Sequence, residues 1–269
     1  MTVSIERLDA VWTIVHDRPE ARNAMDPESA QAIWEAMTEF EETDSARVAV
    51  LWGSGGSFCA GWDLKFASSL ADHADFQREL AERLAFPPGA NSAGRGALGP
   101  TRMELSKPTI AAIEGPAVAG GMELAMWCDM RVMANNAYFG VYCRRWGIPL
   151  MDGGSLRLPR LVGQGRALEI ALTGRKVPAA EALAIGLCER VVEPGMARHA
   201  AETLAIEIAR FPQSAVLADR RSIIESYGRP TREALRVEWA NGLEATFEGT
   251  RGAARFAGGK GRHGDFSNI

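Results

Sequence analysis

At 269 residues the chain is long enough to bury a substantial core, as one large domain or a domain with an appendage. A hydrophobic fraction of 46% and a charged fraction of 24% place it among ordinary soluble globular proteins, and a net charge of −4 leaves no broad basic field for nucleic acid. The cysteines Cys59, Cys128, Cys143 and Cys188 are scattered, with no Cys-x-x-Cys pair and no nearby histidine cluster, which argues against a metal centre or a disulfide framework and for a reducing, cytoplasmic setting.

The opening segment MTVSIERLDA has no basic stretch followed by an apolar run, so no secretory leader is expected. Val11 to His16, rich in β-branched and aromatic residues, predicts a strand. Asp26 is a good N-cap and Pro27 suits the first helical position, which predicts a helix to about Glu42. The apolar run Arg47 to Trp52 fits a buried strand and leads into the glycine-rich turn GSGGSFCAGWDL. The stretch from Phe86 to Pro100, FPPGANSAGRGALGP, predicts a flexible internal loop.

A second buried strand, Pro108 to Gly115, runs into EGPAVAGGMELAMWCD. The region from Thr109 to Cys128 is the most apolar in the chain, but Glu114, Pro116 and Glu123 interrupt it and argue against a membrane span. Gly120 and Gly121 stand at a predicted helix entrance with Glu123 in the first turn. Amides there lack helical partners and carry the positive end of the dipole, which suits an oxygen gaining negative charge. A close-packed turn with Glu123 stabilised by the dipole explains the same residues. Both readings stay open at this point.

MRVMANNAYFG reads as two short strands around Asn135-Asn136. Beyond about Leu156 the spacing turns helical, in RALEIALTGRKV, PAAEALAIGL, MARHAAETLAIEIARF and TREALRVEWANGLEATFE. The tail GGKGRHGDFSNI is polar and glycine-rich. The alternation before Leu156 predicts an α/β fold with sheets covered by helices, and no repeat of fixed period is visible.

Several of these blocks, in this order, resemble the enoyl-CoA hydratase/isomerase (crotonase) superfamily: HDRPEARNAM, SFCAGWDL, EGPAVAGGMELAMWCD and the run from RLPRLVGQG to ERVV. The resemblance implies a crotonase-like spiral of β-β-α units. It places the acyl-CoA-binding and catalytic core in residues 1–210 and a C-terminal helical oligomerisation region with a basic tail in residues 211–269. It further implies a coenzyme A thioester substrate, with no prosthetic group and coenzyme A present only as part of the substrate. A homotrimer or hexamer is expected, and the apolar helical stripe of VEWANGLEAT agrees with that.

Carried over position by position, the resemblance implies that the amides of Trp62 and Gly120 bind the thioester oxygen. It places Arg22, Ala60, Lys260 and Arg262 near coenzyme A, and makes Glu123 an acid/base residue. Asp63 reads as a turn-organising side chain. One departure stands out. Hydratases of this family use a second glutamate twenty residues after the first, and that position holds Cys143. A thiol titrates near about 8.5 and is no like-for-like substitute for a carboxyl group. Arg144 and Arg145 would lower its pKa if they pointed inward, although adjacent arginines more often face solvent. Asp152, in PLMDGG, is the nearest alternative carboxylate, with capping of the next helix as its structural role. Hydration of an enoyl-CoA is the default expectation and double-bond migration the close alternative. A catalytically weak acyl-CoA binder or an RNA-binding relative is a different class, the latter disfavoured by the acidic balance. A related peptidase would need a serine–histidine pair, and His16, His73, His199 and His263 match no such motif.

Overall fold

In the computed structural model, which describes residues 2–70, 75–86, 94–261 and 263, the chain winds through two sheets. Strands are numbered in chain order. The larger sheet runs β1 (Val3–Leu8), β2 (Val11–His16), β3 (Val48–Gly53), β4 (Thr109–Ile113), β6 (Met130–Ala134), β9 (Arg190–Val192). In it β1 is antiparallel to β2 and the other neighbours are parallel. The smaller sheet runs β5 (Pro116–Val118), β7 (Tyr138–Gly140), β8 (Lys176–Pro178).

β2, β3 and β4 of the larger sheet each hand the chain to the smaller layer and then to a helix. β4, β5 and α4 (Gly120–Trp127) make one such turn. β3 is followed by isolated bridges at Cys59 and Trp62 and then α2 (Leu64–Ser68); β2 is followed by a bridge at Met25 and then α1 (Pro27–Glu42). Met25 bridges Trp62, Cys59 bridges Ala117, and β5 pairs with β7, all in parallel, so successive turns stack in register. This is the β-β-α spiral.

Alternation along the strands divides the core. Val48, Val50, Ile110, Ala112 and Val132 pack beneath Leu204 and Ala205 of α8 (Ala197–Arg210). Ala49, Leu51, Ala111 and Ile113 face the other layer with Met122 and Phe139. Burial on both faces explains why β3 and β4 read as unbroken apolar runs. Each fully buried Ile, Leu or Phe contributes roughly 1.5–3 kcal/mol. The predicted cap of α1 is present: the Asp26 carboxylate accepts from the Ser29 amide, and Ile33, Met37 and Phe40 form the buried face.

The sequence reading missed β1, β5, β8 and β9. β8 lies in a segment read as helical, and β9 between two such segments. There α6 (Gln164–Thr173) ends at Gly174, whose φ of +60° stops the helix, and Lys176–Pro178 then joins the smaller sheet before α7 (Ala179–Ala184). Three-residue strands carry no period to detect. Of the loop expected from Phe86 to Pro100, residues 87–93 lie outside the described residues, which also include α3 (Phe76–Leu84) before it. Its later part is fixed, with Leu98 buried and Gly96 and Gly99 bonded to each other. After α5 (Gly154–Val162) and α8, helices α9 (Gln213–Ser226) and α10 (Thr231–Ala257) close the chain. Arg220 ties α9 to the core through the Asp129 carboxylate at 3.0 Å and the Leu105 carbonyl at 2.7 Å.

Candidate active site

The loop after β2 and the turn after β3 are laced together by backbone. The Ala60 amide donates to the Arg22 carbonyl (3.1 Å), the Met25 amide to Gly61 (2.7 Å), and the Asp63 amide to Met25 (2.9 Å). Asn23, fully buried, staples the same loop, donating from Nδ2 to the Ser54 and Ser57 carbonyls and accepting from the Arg18 amide. Asp63 caps α2 through the Lys65 and Phe66 amides and pairs with Arg18 at 2.8 Å. Burial works to raise its pKa, yet Arg18 and the two amides hold it below the ordinary carboxylate value. Asp63 therefore organises the turn. Trp62 sits half-buried between these bonds, its ring edge-on to Phe66, and its amide donates to no protein acceptor among the described residues.

The next turn of the spiral meets this one at α4. Ala119, just before the helix, has φ +54° and ψ −125°, a conformation that costs a residue with a Cβ roughly 1–3 kcal/mol. Its amide bond to the Gly140 carbonyl (2.7 Å) and the Met122 amide on its own carbonyl (3.1 Å) keep it there. The Gly120 amide donates to no protein acceptor among the described residues. A Cβ on Gly61 would stand 2.8 Å from the Gly120 nitrogen, so the Trp62 and Gly120 segments adjoin. The glycine pair is also required by packing, since a Cβ on Gly121 would lie 2.0 Å from the Cys59 carbonyl oxygen.

Glu123, only 3% exposed, projects from the first turn of α4. Its Oε1 accepts from the amides of Asp152 (2.9 Å) and Gly154 (2.8 Å) at the entrance of α5. Burial pushes its pKa up to about 7, against the pull of the Gly154 and Asp152 amides and with a smaller push from the Asp152 charge. A carboxyl group poised near neutrality can accept or donate a proton there.

Cys143 is buried in the short 3-10 turn Tyr142–Trp146, close enough to Glu123 for charge coupling. Burial and then the Glu123 charge raise its pKa, so the thiol is neutral at pH 7. The neighbouring arginines do not activate it. Both are exposed, Arg144 donating to the Ala171 carbonyl and Arg145 stacking on the Tyr142 ring at 4.2 Å. The Asp152 carboxylate has its own partners, its Oδ1 accepting from the Thr101 hydroxyl (2.5 Å) and the Leu98 amide (3.1 Å). It does not cap α5, whose N-cap is Gly153 with no side-chain bond.

Arg22 is exposed, and Ala60 is joined to it by the backbone bond above. Lys260 is far from both. Its amide bonds the Arg255 carbonyl, and Arg255 lines a depression with Arg47, at the N-terminal end of β3, whereas Arg22 follows the C-terminal end of β2, the parallel neighbour of β3. Arg262 lies outside the described residues. The sequence reading missed Arg18, Asn23, Thr101 and Arg157, whose partners lie in other turns of the spiral. Asn23, a residue type that tolerates the left-handed region both it (φ +54°) and Arg22 (φ +53°) adopt, was the available hint for a tight loop. Among the described residues no three His, Cys, Asp or Glu side chains form a metal site, and no helix is long and apolar enough to cross a membrane.

Compared with known proteins, the chain matches the family model described as enoyl-CoA hydratase/isomerase over residues 6–86 and 99–254. It is 35% identical over 247 residues to enoyl-CoA hydratase EchA19 of Mycobacterium tuberculosis, covering 89% of this chain and 86% of that protein. It is 33% identical over 238 residues to (E)-benzylidenesuccinyl-CoA hydratase of Thauera aromatica, covering 87% of each. A crystal structure of an enoyl-CoA hydratase from Mycobacterium tuberculosis superposes with a TM-score of 0.81 at 36% identity, covering 95% of each chain.

Proposed function

The chain belongs to the enoyl-CoA hydratase/isomerase family, and from that footing we propose that it adds water to an enoyl-CoA thioester through an enolate held by the Trp62 and Gly120 amides. The observation that carries the reading is Glu123, a buried carboxyl group with one oxygen pinned by two amides, near neutrality in pKa, on the helix that Gly120 opens. The ionised Glu123 takes a proton from water as the water oxygen bonds to the β-carbon. The displaced electron pair moves onto the thioester oxygen, where two fixed donors and the N-terminus of α4 stabilise it. The same carboxyl group then returns its proton to the α-carbon. Water is split across the double bond and Glu123 is regenerated.

Cys143 favours a second reading. With a neutral thiol at the position of the second glutamate, one carboxyl group is left to move one proton, and that suffices for double-bond migration. The deciding experiment incubates the protein with a panel of enoyl-CoA thioesters in heavy-oxygen water. Hydration incorporates the label at the β-carbon; migration gives an unlabelled isomer; inertness toward every thioester refutes both and leaves a binder.

We also propose a homotrimer or hexamer in the cytoplasm. Leu235, Trp239, Leu243 and Phe247 form an exposed apolar stripe along α10, supporting association with further copies. Lys260 would then approach coenzyme A only across such an interface, and Arg22 and Ala60 from within the chain. A monomeric mass by light scattering would refute this.

A further inference from the structure

Asp152 reaches both halves of the site from a single residue. Its backbone amide donates to Glu123 Oε1 at 2.9 Å. Its carboxylate, on a residue 5% exposed, accepts from the Thr101 hydroxyl at 2.5 Å and the Leu98 amide at 3.1 Å. Leu98 in turn abuts the helix entrance, where a Cβ on Gly120 would stand 2.5 Å from its Cδ1. Arg157 of α5 closes the assembly, donating to the Asp152 carbonyl at 3.0 Å and the Thr101 carbonyl at 2.7 Å. The fit is tight, since a Cβ on Gly96 would lie 2.2 Å from the Thr101 hydroxyl oxygen and 2.5 Å from Asp152 Oδ1.

We propose that Asp152 is a positioning residue, its carboxylate fastening the 96–101 turn against Gly120 while its amide holds the Glu123 carboxyl group, so that the proton carrier and the thioester-binding amides share one support. The proposal deepens the reading of Glu123 and Gly120 above and rests on it. A carboxylate committed to a hydroxyl and an amide does not carry the reaction's proton. It does act on Glu123 by charge. Among the described residues, the charged and titratable groups that face Glu123 are Asp152 and Arg157 from α5 and its approach, and Cys143 from the turn after β7. Of these, the Asp152 charge favours the protonated carboxyl group and Arg157 the ionised one.

The test separates this proposal from the reaction itself. Glutamate labelled with carbon-13 at the carboxyl carbon gives an NMR titration of Glu123, assigned by its loss in Glu123→Gln, that needs no substrate. Asp152→Asn keeps an oxygen for the Leu98 amide and the Thr101 hydroxyl but removes the charge. The Glu123 midpoint, about 7 in the parent protein, is expected to move down toward the ordinary carboxylate value. The pH–rate limb measured with crotonyl-CoA should move with it. Thr101→Val keeps the charge and removes the hydroxyl, so the midpoint should hold while kcat falls roughly tenfold. A movement of the midpoint without turnover of any thioester leaves the proposal standing and removes the hydratase reading. An unmoved midpoint in folded Asp152→Asn overturns the proposal, as does unchanged kcat in Thr101→Val. Loss of all turnover in Asp152→Asn with the midpoint in place overturns it as well, by making Asp152 the proton carrier.

Discussion

Replacing Glu123 with glutamine should remove activity and raise stability in the same molecule, and the second effect follows from the first residue's burial. In the fold the carboxyl group titrates near about 7 against an ordinary value of 4.5. Below pH 4.5 both folded and unfolded chains hold the proton and nothing is lost. Between 4.5 and about 7 the unfolded chain releases it while the native chain retains it, so native stability declines as pH rises. At about 1.4 kcal/mol per pH unit, that interval corresponds to a loss of about 3 kcal/mol, complete above the folded pKa. Glutamine keeps an oxygen for the Asp152 and Gly154 amides and never ionises. The measurement is the free energy of urea unfolding for both proteins at a series of pH values. The advantage of Glu123→Gln over the parent should grow by up to about 3 kcal/mol from acid to mildly alkaline solution. Turnover should fall by roughly 10²–10⁴ while affinity for an acyl-CoA is kept. Parallel stability curves for the two proteins would refute the account of a desolvated Glu123, and unaltered turnover would refute its role in proton transfer.

Under the proposed hydration, Cys143→Glu adds a second carboxyl group near Glu123 and should increase hydration of a short enoyl-CoA; a folded variant with no activity would make the thiol itself a participant. His16 is buried with both ring nitrogens unpartnered, and burial lowers its pKa to about 4 from 6.5. Here the unfolded chain binds the proton that the native chain excludes, so stability is full above pH 6.5 and falls by about 3 kcal/mol as pH drops to about 4. His16→Leu should flatten that acid decline in urea titrations, and a variant that declines as steeply as the parent would contradict it.

The legible parts of the sequence were those whose cause is local. Asp26 before Pro27 announced α1 because a cap bond spans three residues. The runs at β3 and β4 announced buried strands because both their faces are covered. Glu123 could be placed on the first turn of a glycine-led helix, but not its near-neutral pKa, which depends on amides some thirty residues further on. Asp152 shows the same limit. Its sequence neighbours suggested a helix cap or a catalyst, while its partner Leu98 comes from a loop whose composition suggested mobility and Thr101 follows that loop directly. The exposure of Arg144 and Arg145 agrees with the ordinary preference of paired arginines for the surface.

The stacking of the spiral's turns also governs when the site can exist. Trp62 and Gly120 belong to different turns, and the contacts that bring them together, Cys59 with Ala117 and Gly61 with Gly120, are distant along the chain. Helices such as α1 form on local contacts, whereas this pairing must first close a long loop. During refolding, secondary structure should therefore return before the proposed site for a thioester oxygen is assembled. Partial unfolding should run the other way, with separation of two adjoining turns dismantling the proposed oxygen site while most of the helix signal survives.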